Sequence, residues 1–278
     1  MKKSIISFLS LLAVAAMFSS CHNGSMYQLT VEGLGQEGSS PVVWQTGTVL
    51  TMWDDAMAPV DVALAGVAPD SSYASIQMPE GFKRQGLCRF MYPKSAFEKG
   101  HVKIATMQSG KEPLTEIPCY AEVEEGASEL AFRTLCGVLK LNLTTAEKLK
   151  CVRVETLDSL VNIAGTFNVN NYPYPTLEAV EGSPCIDCEA VQGMDFSQGA
   201  ELQFFLAPGY YNTFNVIMVT EDGRVCEKNL KEGKHIEITR NGFCTIKLGD
   251  DEENKLVFEL KNLLCQKFFV SLQPQNKR

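Results

Sequence analysis

Cysteines are the residues best equipped for chemistry, and ten of them occur in 278 residues. Cys185-Ile-Asp-Cys188 is the one close pair. A redox CxxC motif needs a strand-to-helix transition, whereas Gly182-Ser183-Pro184 precedes this pair and Gly193 follows it. A zinc site needs two more ligands, and neither a second CxxC nor a spaced His pair is present. Loop cysteines, a local disulfide, a reactive pair and a metal pair stay open at this stage, and no catalytic role is assigned. Cys136, Cys151 and Cys244 lie in strand-like apolar runs, where free cysteine serves as a small core hydrophobe.

Other chemistry is poorly supplied. There are three histidines, and H-E-x-x-H, G-x-S-x-G, G-x-x-x-x-G-K-[ST] and G-x-G-x-x-G are all absent. Glu124 and Glu125 are neighbours, so on a strand they point to opposite faces and cannot flank one bond. From His22 to Phe82 there is no Lys or Arg, against seven acids: Glu32, Glu37, Asp54, Asp55, Asp61, Asp70 and Glu80. No D-x-[DN]-x-[DN]-G loop gathers them for calcium, and a solvated acidic face is expected. A net charge of -8 offers no basic patch for phosphates. The expectation is a non-enzyme with no cofactor, no metal and no nucleic-acid partner.

The N-terminus carries an export signal. Lys2 and Lys3 precede an apolar stretch from Ile5 to Phe18, too short for the roughly 20 residues that span a bilayer. Ser19-Ser20-Cys21 resembles a lipobox, in which cleavage after residue 20 leaves Cys21 as a lipid-modified first residue. An outer-membrane anchor through palmitate-type acylation of Cys21 follows as the expectation. If Cys21 carries lipid, nine cysteines remain and cannot all pair.

The rest of the chain reads as strands. Tyr27, Leu29 and Val31 alternate with polar residues. So do Leu139, Leu141 and Leu143, then Leu202, Phe204 and Leu206, then Phe214, Val216 and Met218. Asp222-Gly223 and Asn241-Gly242 are hairpin dipeptides. Short strands with turn signals between them predict an all-β chain of β-sandwiches. The loop-like Gly126-Ala-Ser-Glu129 divides the chain into 21–128 and 129–250, with a tail at 251–278. That tail must bury its apolar residues, by packing on its own second domain or by entering a neighbour, and its form supports two readings. Leu256, Val257, Leu260, Leu263, Leu264 and Phe268 fall at helical spacings, while Leu256, Phe258 and Leu260, with Phe268, Val270 and Leu272, alternate as strands.

Several segments taken together resemble the fimbrillin family, the pilus and pilus-like adhesin lipoproteins of Bacteroidia. Val43-Trp44-Gln-Thr-Gly47-Thr-Val-Leu50 is similar to the family's Trp-x-x-Gly-Asp strand pair, with Thr48 where Asp is usual. Phe90-Met-Tyr92-Pro93-Lys-Ser95 matches its Tyr-Pro-x-Ser strand end. Phe132–Leu143, Val152-Arg-Val154, Ile163-Ala-Gly165 and Ala207-Pro208-Gly209-Tyr210 follow in the family's order.

The resemblance implies two transthyretin-like β-sandwich domains in tandem at the cell surface or in a fimbrium. It also implies adhesion to host or bacterial ligands, and pilus assembly with other subunits by donor-strand exchange. In that scheme Tyr27, Leu29 and Val31 form the first strand over an assembly groove. Leu256, Phe258, Leu260, Phe268, Val270 and Leu272 are candidates for a donor segment. A trypsin-like protease freeing the first strand finds no site before Lys83-Arg84, and a cut there deletes Trp44 and Trp53. The chain thus departs from the shaft-subunit pattern and suits an anchor, tip or accessory subunit. The competing expectation is a periplasmic or surface lipoprotein that binds a glycan or peptide.

The anchor is directly testable. Cys21→Ser should move the protein into the soluble fraction, because each buried methylene of a lipid contributes about 0.8 kcal/mol. Unchanged partition of the variant into membranes would refute lipid attachment.

Overall fold

The computed structural model describes residues 24–32, 42–56, 58–110, 117–158, 161–170, 174–188, 191–212, 214–230, 236–249 and 255–259. Nearly all of the regular structure is strand, with one 3-10 turn at Lys94–Ala96 among the described residues. The all-β expectation therefore stands. The chain forms two compact units: 1–103, 115–135 and 171–175 make the first, and 104–114, 136–170 and 176–278 the second.

In the first unit the strands are β1 (Gly24–Val31), β2 (Val49–Trp53), β3 (Val60–Ala65), β4 (Tyr73–Gln77) and β5 (Cys88–Tyr92). A short hairpin follows, β6 (Phe97–Glu98) with β7 (His101–Ile104). After β8 (Met107–Gln108), which belongs to the second unit, come β9 (Cys119–Val123) and β10 (Glu129–Thr134). Seven of these strands close into a barrel in the order β1-β10-β9-β5-β2-β3-β4.

Two strands turn the corners of this barrel. β3 pairs with β2 from Val60 to Ala63, and with β4 at Leu64 and Ala65. β10 pairs with β1 from Glu129 to Phe132, and with β9 at Arg133 and Thr134. The sequence suggested a β-sandwich; in this unit strands shared between sheets close the strands into one barrel-like sheet. Alternation of apolar residues is the same in both architectures and cannot tell them apart. Leu50, Met52, Leu64, Ile76, Phe90 and Phe132 fill the interior, each at most 1% exposed. The Trp44 ring lies 5.0 Å from that of Phe132 and 5.2 Å from that of Tyr92.

The second unit continues with β11 (Gly137–Leu143), β12 (Leu149–Thr156), β13 (Ala164–Asn170), β14 (Thr176–Ser183), β15 (Cys185–Cys188) and β16 (Ala200–Leu206). It ends with β17 (Gly209–Tyr211), β18 (Phe214–Thr220), β19 (Val225–Leu230), β20 (Ile236–Ile238) and β21 (Phe243–Leu248). One sheet runs β16-β11-β21 and a second β19-β18-β12-β15-β8, with β17 and β20 as a separate pair. Leu139, Leu141 and Leu143 are fully buried beside Leu202, Phe204 and Leu206. Asp222-Gly223 makes the β18–β19 turn, with Gly223 at φ 86°, a conformation that costs glycine nothing. The Tyr211 hydroxyl donates to the Ala207 carbonyl, so a buried ring has its polar tip satisfied.

Phe132→Ala should cost the first unit about 3–5 kcal/mol, through lost transfer energy and the cavity left beside Trp44. Val43→Ala, at a side chain 72% exposed, should stay within about 0.5 kcal/mol. Urea unfolding of the two variants tests the contrast.

Candidate functional site

The strongest candidate site is the seat of β1. Tyr27 and Leu29 are each 5% exposed, Val31 is half-buried, and Met26 and Gln28 on either side of Tyr27 face out. The period-2 pattern is obeyed because β1 lies between two other strands with one face on the core. On one side β10 runs parallel, with Leu29 opposite Leu130 and Val31 opposite Phe132. On the other, β4 runs antiparallel, with Tyr27 opposite Ala74. Facing side chains in such registers share one side of the sheet, so Tyr27, Leu29 and Val31 line up with Ala74, Leu130 and Phe132. The Tyr27 ring meets Phe90 edge-on at 6.4 Å.

Backbone bonds hold β1 on both sides. Gln28 N–H donates to the Ser128 carbonyl at 2.7 Å and Glu32 N–H to the Phe132 carbonyl at 2.9 Å. Leu29 N–H donates to the Ser72 carbonyl at 2.9 Å. The Thr30 hydroxyl adds a bond to Glu129 Oε1 at 3.0 Å. What this arrangement can do is mechanical: an apolar slot between β10 and β4 is occupied by one strand, held by main-chain bonds and alternate side chains. Strand addition works through the same contacts.

The other candidate residues are placed as follows. Cys21 lies outside the described residues, as do Leu260, Phe268, Val270 and Leu272. Leu256 and Phe258 are half-buried in chain without regular structure, not helix, and Glu259 forms an antiparallel bridge with Val225. Over 255–259, then, alternation prevails over the helical spacing. Lys83 is exposed and Arg84 half-buried in irregular chain between β4 and β5. The Arg84 guanidinium donates to the carbonyls of Gly86 and Val123.

The cysteine pair is not a loop feature. Cys185 and Cys188 begin and end β15, and residues three apart on a strand point to opposite faces. The Cys188 thiol bonds to the Ser109 carbonyl at 3.2 Å, and Cys185 Sγ lies 3.6 Å from the Ser183 hydroxyl. None of the eight cysteines among the described residues forms a disulfide. Burial pushes the Cys119 thiol far up and the Cys151 thiol to about 11, so neither is poised as a thiolate. Among the described residues, no three His, Cys, Asp or Glu side chains gather as a metal cluster.

Sequence reasoning missed the partners of β1. Parallel pairing between residues about a hundred positions apart leaves no local signal, and only the inward set of β1 itself was readable.

No protein-family model matches the chain, and no curated protein does. Solved structures do resemble it. A candidate cell adhesion protein from Bacteroides ovatus superposes with a TM-score of 0.50 at 8% identity, over 87% of this chain and 96% of that one. A fimbrial protein from Bacteroides ovatus gives 0.37 at 10% identity, over 82% of this chain and 49% of that one. The tip fimbrial protein Mfa3 from Porphyromonas gingivalis gives 0.33 at 10% identity, over 75% and 83%. The chain shares the overall fold of the first of these structures.

Proposed function

We propose that the chain is a fimbrillin-like lipoprotein of the cell surface, a structural or adhesive subunit of a pilus in an anchor, tip or accessory position. In this reading its two units are transthyretin-like sandwiches, the first closed by its own strand, and Cys21 carries the lipid. Neighbouring subunits join by strand addition, the incoming strand taking the place of β1.

The observation that carries the proposal is the double pairing of β1 with β10 and β4, with Tyr27 and Leu29 in the core. Its departure leaves two unpaired strand edges and an apolar slot, a surface that must be refilled by another strand. The position of Lys83-Arg84 supports an anchor or tip role over a shaft role. A cut there removes β1 to β4 together, four of the seven barrel strands.

Glycan binding draws less support. Among the described residues the exposed aromatic rings are divided, with Tyr73 and Tyr174 in the first unit and Tyr210 and Phe243 in the second. The Phe243 face is already covered by the Lys140 ammonium at 4.5 Å.

A specific protease site placed within residues 33–41 allows β1 to be cut and removed without touching β2. The nicked first unit should remain folded and bind a synthetic peptide of residues 24–32 in fluorescence anisotropy. Replacing Tyr27 and Leu29 in the peptide by serine should weaken binding at least about a hundredfold, as expected for two apolar side chains worth roughly 1.5–3 kcal/mol each. A nicked unit that unfolds, or one that ignores the peptide, would contradict the proposal.

A further inference from the structure

The second unit has a sheet face that is polar by composition and still holds a dry apolar strip. In the sheet β19-β18-β12-β15, alternation sends Val152, Val154, Val216 and Met218 inward, all fully buried. The residues between them face outward, and many are polar. Arg153 grips Asp187 with two bonds of 2.6 and 2.8 Å. The Asn215 amide spans Glu155 and Glu227 at 3.2 and 2.9 Å. Cys151, Ile217, Val219 and Val225 stand on this same outward face. They are nevertheless 5%, 3%, 7% and 1% exposed, and they form a buried cluster of their own. An outward apolar strip that is dry requires a covering layer.

The chain delivers one to the right place. Glu259 bridges Val225, its N–H donating to the Val225 carbonyl at 3.0 Å and its carbonyl accepting from Val225 N–H at 2.8 Å. Val225 is therefore both a member of the strip and the point where the C-terminal segment arrives. Nineteen residues follow, 260–278, and among them are Leu260, Leu263, Leu264, Phe268, Phe269 and Leu272. Crossing five strands takes about 20 Å at the usual strand spacing. Nineteen residues reach about 28 Å even when coiled as a helix, so the length suffices in either form. Residues 260–278 include Lys261 and Lys267, opposite in charge to Glu155 and Glu227 on this face.

We propose that residues 260–278 dock in cis on the outward face of β19, β18 and β12, covering Cys151, Ile217, Val219 and Val225 as a third layer of the second unit. The chain's own terminus is the occupant because the Glu259 bridge already fixes its entry. A tethered segment meets this face at a high effective concentration, which a second molecule must match by mass action. The apolar tail is thereby stored, and it becomes available to another subunit only after leaving this face. The proposal concerns the second unit alone and does not depend on the role of β1.

The Cys151 thiol reports the cover. Maleimide labelling mapped by mass spectrometry is compared between the full-length protein, a chain ending at Glu259, and full-length protein carrying Phe268→Asp and Phe269→Asp. Docking in cis requires Cys151 to label at least about tenfold faster in both variants, the signature of a lost local protection. Cys188, on the inward face, should stay protected in both and so certify the fold. If the truncated chain exposes Cys188 as well, the double substitution, which removes no residue, decides. An unchanged Cys151 rate with Cys188 protected overturns the proposal. So does protection of Cys151 that vanishes on dilution, which would assign the cover to a second copy.

Discussion

The first unit depends on a single constraint: β10 and β4 each present an edge that must be paired, and β1 pairs both. The rest of the barrel is a continuous ladder from β10 through β9, β5, β2 and β3 to β4. Without β1 that ladder is an open sheet with Ala74, Ile76, Leu130 and Phe132 at its rim. With β1 present, the backbone groups of both edges are satisfied and two apolar side chains enter the core. Each hydrogen bond adds roughly 1 kcal/mol net, so the strand is held by many small contributions and no single strong one. A segment of another chain with the same alternation can reproduce such contributions. A disulfide or a metal clip cannot be exchanged in that way.

What the sequence made legible follows from this physics. Strands with one face on a core show the period-2 pattern, and β1, β11, β16 and β18 were readable because their inward sets are uninterrupted: Tyr27 and Leu29, Leu139 to Leu143, Leu202 to Leu206, Phe214 to Met218. The hairpin turn at Gly223 follows from residues that tolerate such geometry, whereas Asn241-Gly242 takes the positive φ of a turn without making a hairpin, since β20 pairs with β17 and β21 with β11. β14 was not readable, since most of its residues from Thr176 to Ser183 face solvent and nothing apolar marks them. Barrel closure was not readable either, because β3 and β10 change partners midway without any change in residue type. The tail showed both periods, and over 255–259 burial follows the period of two without a helix, with Glu259 bridged to Val225.

The cysteines make the same point from the opposite direction. Their number in a chain with an export signal suggested disulfides, yet those described form none and are mostly buried. Cys136 and Cys188 are fully enclosed, and Cys88 and Cys119 pack within strands of the first unit. They behave as small apolar residues, with thiols at Cys88, Cys119, Cys151 and Cys244 pushed up by burial. Chemistry is thus absorbed into packing, and what remains for function is the edge of a sheet and whatever covers it.

Native-state hydrogen exchange across a series of low urea concentrations tests the role of β1 most directly. If β1 is a replaceable closing strand, the Leu29 and Glu32 amides should exchange through an opening of their own, at least about 2 kcal/mol below the level that protects β5 and β9. A single shared level for β1, β5 and β9, with one common urea dependence, would mean that the strand leaves only when the whole unit unfolds, and would contradict the account.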